Sequence, residues 1–418
     1  MCNRINEQQA IGVLAALLVP MLAAASDANW NAAYYQGLDA FNQARYSDAE
    51  AKLKSAVEQA RAFSAPDMRF AKSTYSLAVT YHLQGKSSLA EPLYLEAQTA
   101  VQQLGREGQP MMGYVLQGLG ELRFDQGRWK EGEPLLRQAI AQCRTQFGER
   151  HPCTLAAQKH LGQLLTAFGP SEEAQALLEN LIANLRQLNP PSTEMLVGSL
   201  ANLGVFHLTQ GNLQSAEPLL RESLDIANQH GISGPVLADT LLDLGELYRL
   251  QQNTARAEPL LRKALSIYEC ANDPHQAGAL HELGKLAMNE NKFAIAKGYL
   301  SESLRMYERV AGSENLLTAR VKAALAQALL GDRNTAQARE MVREALAVER
   351  NALGEKHSEY ARYLMLAAKI EEAAHRNGEA DGFYRQALAV YRESLSEGQQ
   401  ERVDAERSYD RFAKSLRK

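Results

Sequence analysis

A pair of small residues twelve apart, repeated nine times, is the feature that most narrows what this chain can fold into. The pairs are Gly37/Ala49, Ala78/Ala90, Gly120/Gly132, Gly162/Ala174, Gly204/Ala216, Gly245/Ala257, Gly284/Ala296, Ala326/Ala338 and Ala368/Ala380. Near-copies surround the second member, among them AEPLLRESL from Ala216, AEPLLRKAL from Ala257, GEPLLRQAI from Gly132 and AEPLYLEAQ from Ala90. Second members follow one another at 39 to 42 residues. A fixed period of that length marks an array of identical supersecondary units, each unable to bury its apolar face alone.

The twelve-residue offset reads as helix–turn–helix, with each small residue mid-helix: the first on helix A, the second on helix B. Lack of bulk there lets two antiparallel helices approach to the short end of the ~8–10 Å interaxial range. Four residues after each helix B small residue comes Leu53, Tyr94, Leu136, Leu178, Leu220, Leu261, Leu300, Val342 or Tyr384, always apolar. The i, i+4 relation places it on the same face, so each helix B carries one buried stripe. Seven residues after the helix A small residue stand Gly85, Gly127, Gly169 and Gly211, with Gln252 and Asn291 in later repeats. Glycine there accepts φ > 0 and closes helix A. Pro110, Pro152, Pro235 and Pro274 lie ten residues before that small residue, where a proline opens a helix without losing a hydrogen bond. Pro92, Pro134, Pro218 and Pro259 come early in helix B.

The pattern L-x-x-L-G-x-L-Y…G…A-E-P-L-L-x-x-A-L resembles the tetratricopeptide repeat, in the 42-residue spacing of kinesin light chains and many bacterial proteins. Leu241, Leu244, Gly245 and Tyr248, followed by Ala257, Leu261 and Ala264, match it most closely. The segments Phe147 to Pro152 and Leu353 to His357 resemble that variety's linker. The resemblance implies an all-α, right-handed superhelical solenoid of about nine repeats over residues 26–395, with helix A forming the concave wall. A charged helix in residues 396–418, with Tyr409, Phe412, Ala413 and Leu416 on one side, caps the last apolar face.

The resemblance further implies a protein or peptide ligand in the groove. Wall positions lie three before, one after and four after the helix A small residue. They give Tyr34, Leu38 and Phe41 in the first repeat, then Tyr75, Val79 and His82 in the second. The fourth gives Lys159, Gln163 and Thr166; the sixth, Leu242, Glu246 and Arg249; the seventh, His281, Lys285 and Met288. Tyr34 and Phe41 are either groove residues or the cover of an exposed end. Asn202 alone matches the asparagine ladder of kinesin light chains, and Lys159 with Asn202 is the nearest approach to a carboxylate clamp. The ligand type does not transfer.

Ala10 to Ala25 is apolar or small throughout and meets Ser26-Asp27, with Arg4 upstream. This is the layout of a secretory signal spanning residues 1–25 and cut near Ala25; Pro20 and the short run argue against a permanent span. The expected location is therefore the bacterial periplasm or outside, with no membrane insertion after cleavage. An inner-membrane anchored or cytoplasmic chain is the alternative. Net charge is −4, from 45 Lys and Arg against 49 Asp and Glu, which disfavours nucleic acid. Of four cysteines, Cys143 and Cys153 flank a linker between repeats. An oxidising compartment permits their bridge, whereas helix packing that holds their Cα atoms beyond ~7 Å forbids it. Cys270 reads as a small buried hydrophobe without a partner.

Residues that carry chemistry do not gather in the sequence. Gly85-Lys86-Ser87 lacks the first P-loop glycine, since Thr80 stands there. His281-Glu282 has Lys285 where a second zinc histidine belongs. No catalytic residue, metal ligand or cofactor is expected. The reading is a non-enzymatic scaffold or adaptor in the envelope, with a cytoplasmic or membrane-tethered regulator sensing a peptide or partner domain as the alternative. Partner identity and oligomeric state stay open.

Overall fold

The computed structural model describes residues 28–63, 67–168, 171–271, 273–397 and 399–416. The expected signal segment lies outside them, as does Gly169. The described residues hold nineteen helices and no strand. In chain order these pair as α1 (Ala28–Asn42) with α2 (Tyr46–Ala60), α3 (Met68–Leu83) with α4 (Ser87–Gln103), and α5 (Gln109–Asp125) with α6 (Trp129–Phe147). Next come α7 (Pro152–Phe168) with α8 (Glu172–Arg186), α9 (Thr193–Thr209) with α10 (Leu213–Gln229), and α11 (Pro235–Leu250) with α12 (Thr254–Ala271). The last pairs are α13 (Gln276–Asn289) with α14 (Phe293–Ala311), α15 (Leu316–Gly331) with α16 (Thr335–Ala352), and α17 (Ser358–Ala373) with α18 (Asn377–Ser394). A single helix, α19 (Gln400–Ser415), follows. Two compact units divide the chain, Met1–Pro274 with α1 to α12 and His275–Lys418 with α13 to α19. Each is a stack of hairpins.

The twelve-residue pairs close these hairpins, though not where expected. The helix A member sits in the second half of its helix, and the helix B member is the third or fourth residue of its own. Contact is therefore beside the turn rather than at mid-helix. Above each helix A glycine lies the leucine sixteen residues on. A Cβ added at Gly37, Gly120, Gly162, Gly204, Gly245 or Gly284 would fall 2.4 to 2.8 Å from a side-chain carbon of Leu53, Leu136, Leu178, Leu220, Leu261 or Leu300. Where helix A has alanine instead (Ala78, Ala326, Ala368), the matching residue is Tyr94, Val342 or Tyr384 and never leucine. Leucine's branched Cγ occupies the volume of the missing methyl. A flat ring or a shorter valine leaves room for it.

The turn is the same whatever residue fills it. Gly85, Gly127 and Gly211 have φ of 70°, 73° and 71°, and Ala44, Gln252, Asn291, Arg333 and His375 have φ between 53° and 61°. At Arg333 the residue's own N–H donates to the Leu330 carbonyl (3.0 Å), and the Asn334 N–H to that of Leu329 (2.9 Å). This Schellman pair satisfies carbonyls that the helix end leaves open. Pro92, Pro134, Pro218 and Pro259 are each sixth in helix B, two beyond the four N–H groups with no intrahelical acceptor. Each thus removes one ladder bond, and all four face solvent. At the end of the second unit, Phe412 of α19 packs on Tyr384 (5.1 Å between ring centres), and the Tyr409 hydroxyl donates to Asp381 (2.9 Å). Ala405 and Phe412 are buried, while Leu416 falls beyond α19 and is exposed, so it takes no part in the cap.

The cysteines differ from expectation in one respect. Cys143 of α6 and Cys153 of α7 form a disulfide with Cα atoms 5.6 Å apart, both buried. A Cβ at Gly113 of α5 would lie 2.4 Å from Cys143 Sγ, so the glycine lets α5 pack directly on the bridge. Cys270 is not the buried free hydrophobe the sequence suggested. It is exposed near the end of α12 and is disulfide-bonded.

Candidate functional site

In the first unit, successive A helices touch one another: α5 on α7, α7 on α9, α9 on α11. Helix B reaches the next hairpin through that hairpin's helix A. The A helices thus form the inner wall of the stack, where a ligand segment would meet several repeats at once.

Polar side chains cross this wall from one A helix to the next. Trp30 Nε1 of α1 donates to Ser73 Oγ of α3 at 2.8 Å. His82 Nε2 of α3 meets Asp125 of α5 at 2.8 Å, and its Nδ1 lies 3.4 Å from the Tyr94 hydroxyl. His160 Nε2 of α7 is 3.6 Å from Glu121 of α5. Gln163 Nε2 of α7 donates to Asn202 Oδ1 of α9 at 3.2 Å. Every A-to-A step from α1 to α9 therefore brings polar side chains together besides its apolar packing; Tyr34 and Ser76 add a 3.5 Å contact to the first. Lys159 reaches from α7 across α9, its Nζ 3.5 Å from where a Cβ on Gly198 would stand.

Charge on the wall is tuned by depth. Burial lowers the His160 pKa, against the raising effect of Glu121. Burial raises the Glu194 carboxyl, and Lys159 opposes that shift. These half-buried polar groups suit hydrogen bonds to a peptide better than a closed small-molecule cavity. A hollow of about 550 Å³ lies elsewhere, where α2, α3 and α4 meet, and its lining includes Phe63, Phe70 and Leu95.

The expected wall residues separate into two groups. His82, Lys159, Gln163 and Asn202 lie on the inner wall and are partly accessible. Tyr34, Phe41 and Tyr75 are 1–2% exposed, so they are core and not ligand contacts. Tyr34 stacks on Trp30 (4.9 Å) and Tyr75 meets Tyr94 edge-on (6.0 Å), in the seams between hairpins. Arg249 is likewise buried, within 3.4 Å of Glu246, and belongs to packing. In the second unit His281 and Lys285 both hold on to Glu282, at 3.5 and 2.8 Å. Glu121 was within reach of the sequence signal, since the same offsets in the third repeat yield Gln117, Glu121 and Phe124. Asp125, Gly198 and Glu194 were not, because they sit off those offsets.

No three His, Cys, Asp or Glu side chains gather to hold a metal among the described residues. No described helix is long and apolar enough to cross a membrane.

Family profiles described as tetratricopeptide repeat match residues 34–105, 112–187, 196–269 and 318–359, together more than half of the chain. No curated protein matches. Among solved structures, a Rap protein complexed with competence and sporulation factor has a TM-score of 0.52 at 13% identity, covering 91% of this chain and 90% of its own. The apo form of RapI has a TM-score of 0.50 at 11% identity, covering 88% and 98%. BtubC from P. vanneervenii has a TM-score of 0.45 at 21% identity, covering 53% and 91%. The Rap likenesses concern the fold alone.

Proposed function

The chain belongs to the tetratricopeptide repeat family, and from that premise we propose that it is a non-enzymatic scaffold holding a protein or peptide segment along the helix A wall of its first unit. The observation that carries this reading is the row of ties His82–Asp125, His160–Glu121 and Gln163–Asn202. It sets polar groups of α3, α5, α7 and α9 at successive repeats, with Lys159 of α7 lying beside Gly198 of α9. An extended segment running across the A helices meets one polar station per repeat, which provides register as well as affinity. The Rap structure solved with competence and sporulation factor offers a related fold in a bound state.

The proposed location is the bacterial envelope, after cleavage near Ala25. Support comes from the apolar run Ala10 to Ala25 and from the Cys143–Cys153 disulfide, a bond that persists in oxidising compartments. A photo-crosslinking side chain at Gln163 or at the exposed Arg221 of α10 tests the binding surface in native extract. Discrete adducts from position 163 and none from 221 support the wall; adducts from 221 alone refute it. Mass spectrometry of the natural protein tests location. A mature chain starting near Ser26 supports export, and one starting at Met1 favours the cytoplasmic or membrane-tethered regulator.

A further inference from the structure

Helix B of every repeat has a register position eleven after its small residue. It is filled by Ala60, Val101, Cys143, Leu185, Ala227, Tyr268, Tyr307, Glu349 and Tyr391. Eight of these are apolar or aromatic, and most are fully buried. The eighth repeat alone places a carboxylate there. Glu349 is 1% exposed, near the C-terminal end of α16, where α15 and α17 pack on that helix. Its Oε2 has no hydrogen-bond partner, and neither does the hydroxyl of the buried Tyr363 beside it on α17.

We propose that Glu349 is a proton-operated latch: protonated, it lets α16 seat between α15 and α17; ionised, it loosens that seam and opens the last repeats. A neutral carboxyl tolerates the apolar register, whereas an ionised one carries the desolvation cost of a buried charge. The groups facing Glu349 do not cancel the cost. Arg320 of α15 and Arg362 of α17 favour the charge, but Glu359 of α17 opposes it and is itself ion-paired with Arg362. The Tyr363 hydroxyl faces the carboxyl too, outside hydrogen-bond geometry, and adds no positive charge. Tyr391 of α18 lies against Arg362 and Glu359 and adds no positive charge.

Burial is the largest influence and lifts the Glu349 carboxyl to about 7. A carboxyl whose folded pKa exceeds its unfolded value holds its proton more tightly when folded. Its stabilising effect is complete below the unfolded value of ~4.5 and is lost as pH rises through 7. The test is hydrogen exchange on the full chain at pH 6 and pH 8, with rates referred to intrinsic exchange at each pH. Protection of α16 and α17 amides is expected to fall about tenfold between the two. Glu349→Gln, neutral at both, is expected to hold it constant. A tenfold fall that persists in Glu349→Gln, or no fall in the natural chain, overturns the latch. Glu349→Leu supplies a second check, because it restores the apolar register of the other repeats and should protect α16 at both pH values. A carboxyl resonance of Glu349 that titrates near 4.5 in the intact protein also overturns it.

Discussion

At the scale of single residues, conformation at the turn is set by the hairpin and not by the side chain. Among the described residues, eight turns share a left-handed residue, five of them occupied by something other than glycine. An L-residue pays about 1–2 kcal/mol for that conformation, and glycine's extra unfolded freedom offsets part of the difference. Arg333→Gly should therefore stabilise the protein by roughly 0.5–1 kcal/mol, read as an upward shift in thermal midpoint. A lower midpoint would show that Arg333 makes compensating contacts. The seven-residue offset lands on Ala44, Arg333 and His375 as well, but their residue types advertise nothing about φ, so only the glycine turns stood out in the sequence. Tyr34, Phe41 and Tyr75 were misplaced for a related reason. The arc of helix A that faces the wall adjoins the arc that faces the neighbouring hairpin, and linear offsets do not separate them. Large rings there turn into the seam, where their area is removed from water.

Within each hairpin, the decisive contact is steric and specific. Glycine on helix A accompanies leucine on helix B in six repeats, and alanine accompanies tyrosine or valine in three. Gly204→Ala should cost ~1–3 kcal/mol, since the new methyl would stand 2.6 Å from Leu220 Cγ. Gly204→Ala with Leu220→Val copies the Ala326/Val342 pairing and should recover part of that loss in denaturant unfolding. A double variant as unstable as the sum of its parts would remove Leu220 as the cause. The bridge between α6 and α7 belongs to the same scale. Closing a short loop in the unfolded chain, it should contribute on the order of 2–4 kcal/mol, lost on reduction or in a Cys143→Ser/Cys153→Ser double variant. Equal unfolding midpoints with and without reductant would contradict that contribution. Hairpins and their order were legible in the sequence, because a steric rule repeated nine times leaves a periodic trace. The position of the contact beside the turn was not, since spacing fixes an offset between helices but not where each helix begins.

On the scale of the whole molecule, each unit is a stack in which a hairpin's exposed side is covered by its neighbour, and the inner wall of the first unit is the surface left for a partner. The repeat made this wall foreseeable and placed His82, Lys159, Gln163 and Asn202 on it. It reaches Glu121 at the same offsets but did not foresee Asp125 and Gly198, whose roles depend on which helix stands opposite. The account turns on whether that wall is where binding occurs. Its most direct test is equilibrium affinity for peptides selected from a random library by the natural protein, remeasured on Gln163→Ala with Asn202→Ala and, separately, on the outer-face variant Arg221→Ala. A loss of about tenfold or more on the wall variant, with Arg221→Ala unchanged, is the predicted result. Unchanged affinity on the wall variant, with loss on Arg221→Ala, would contradict it.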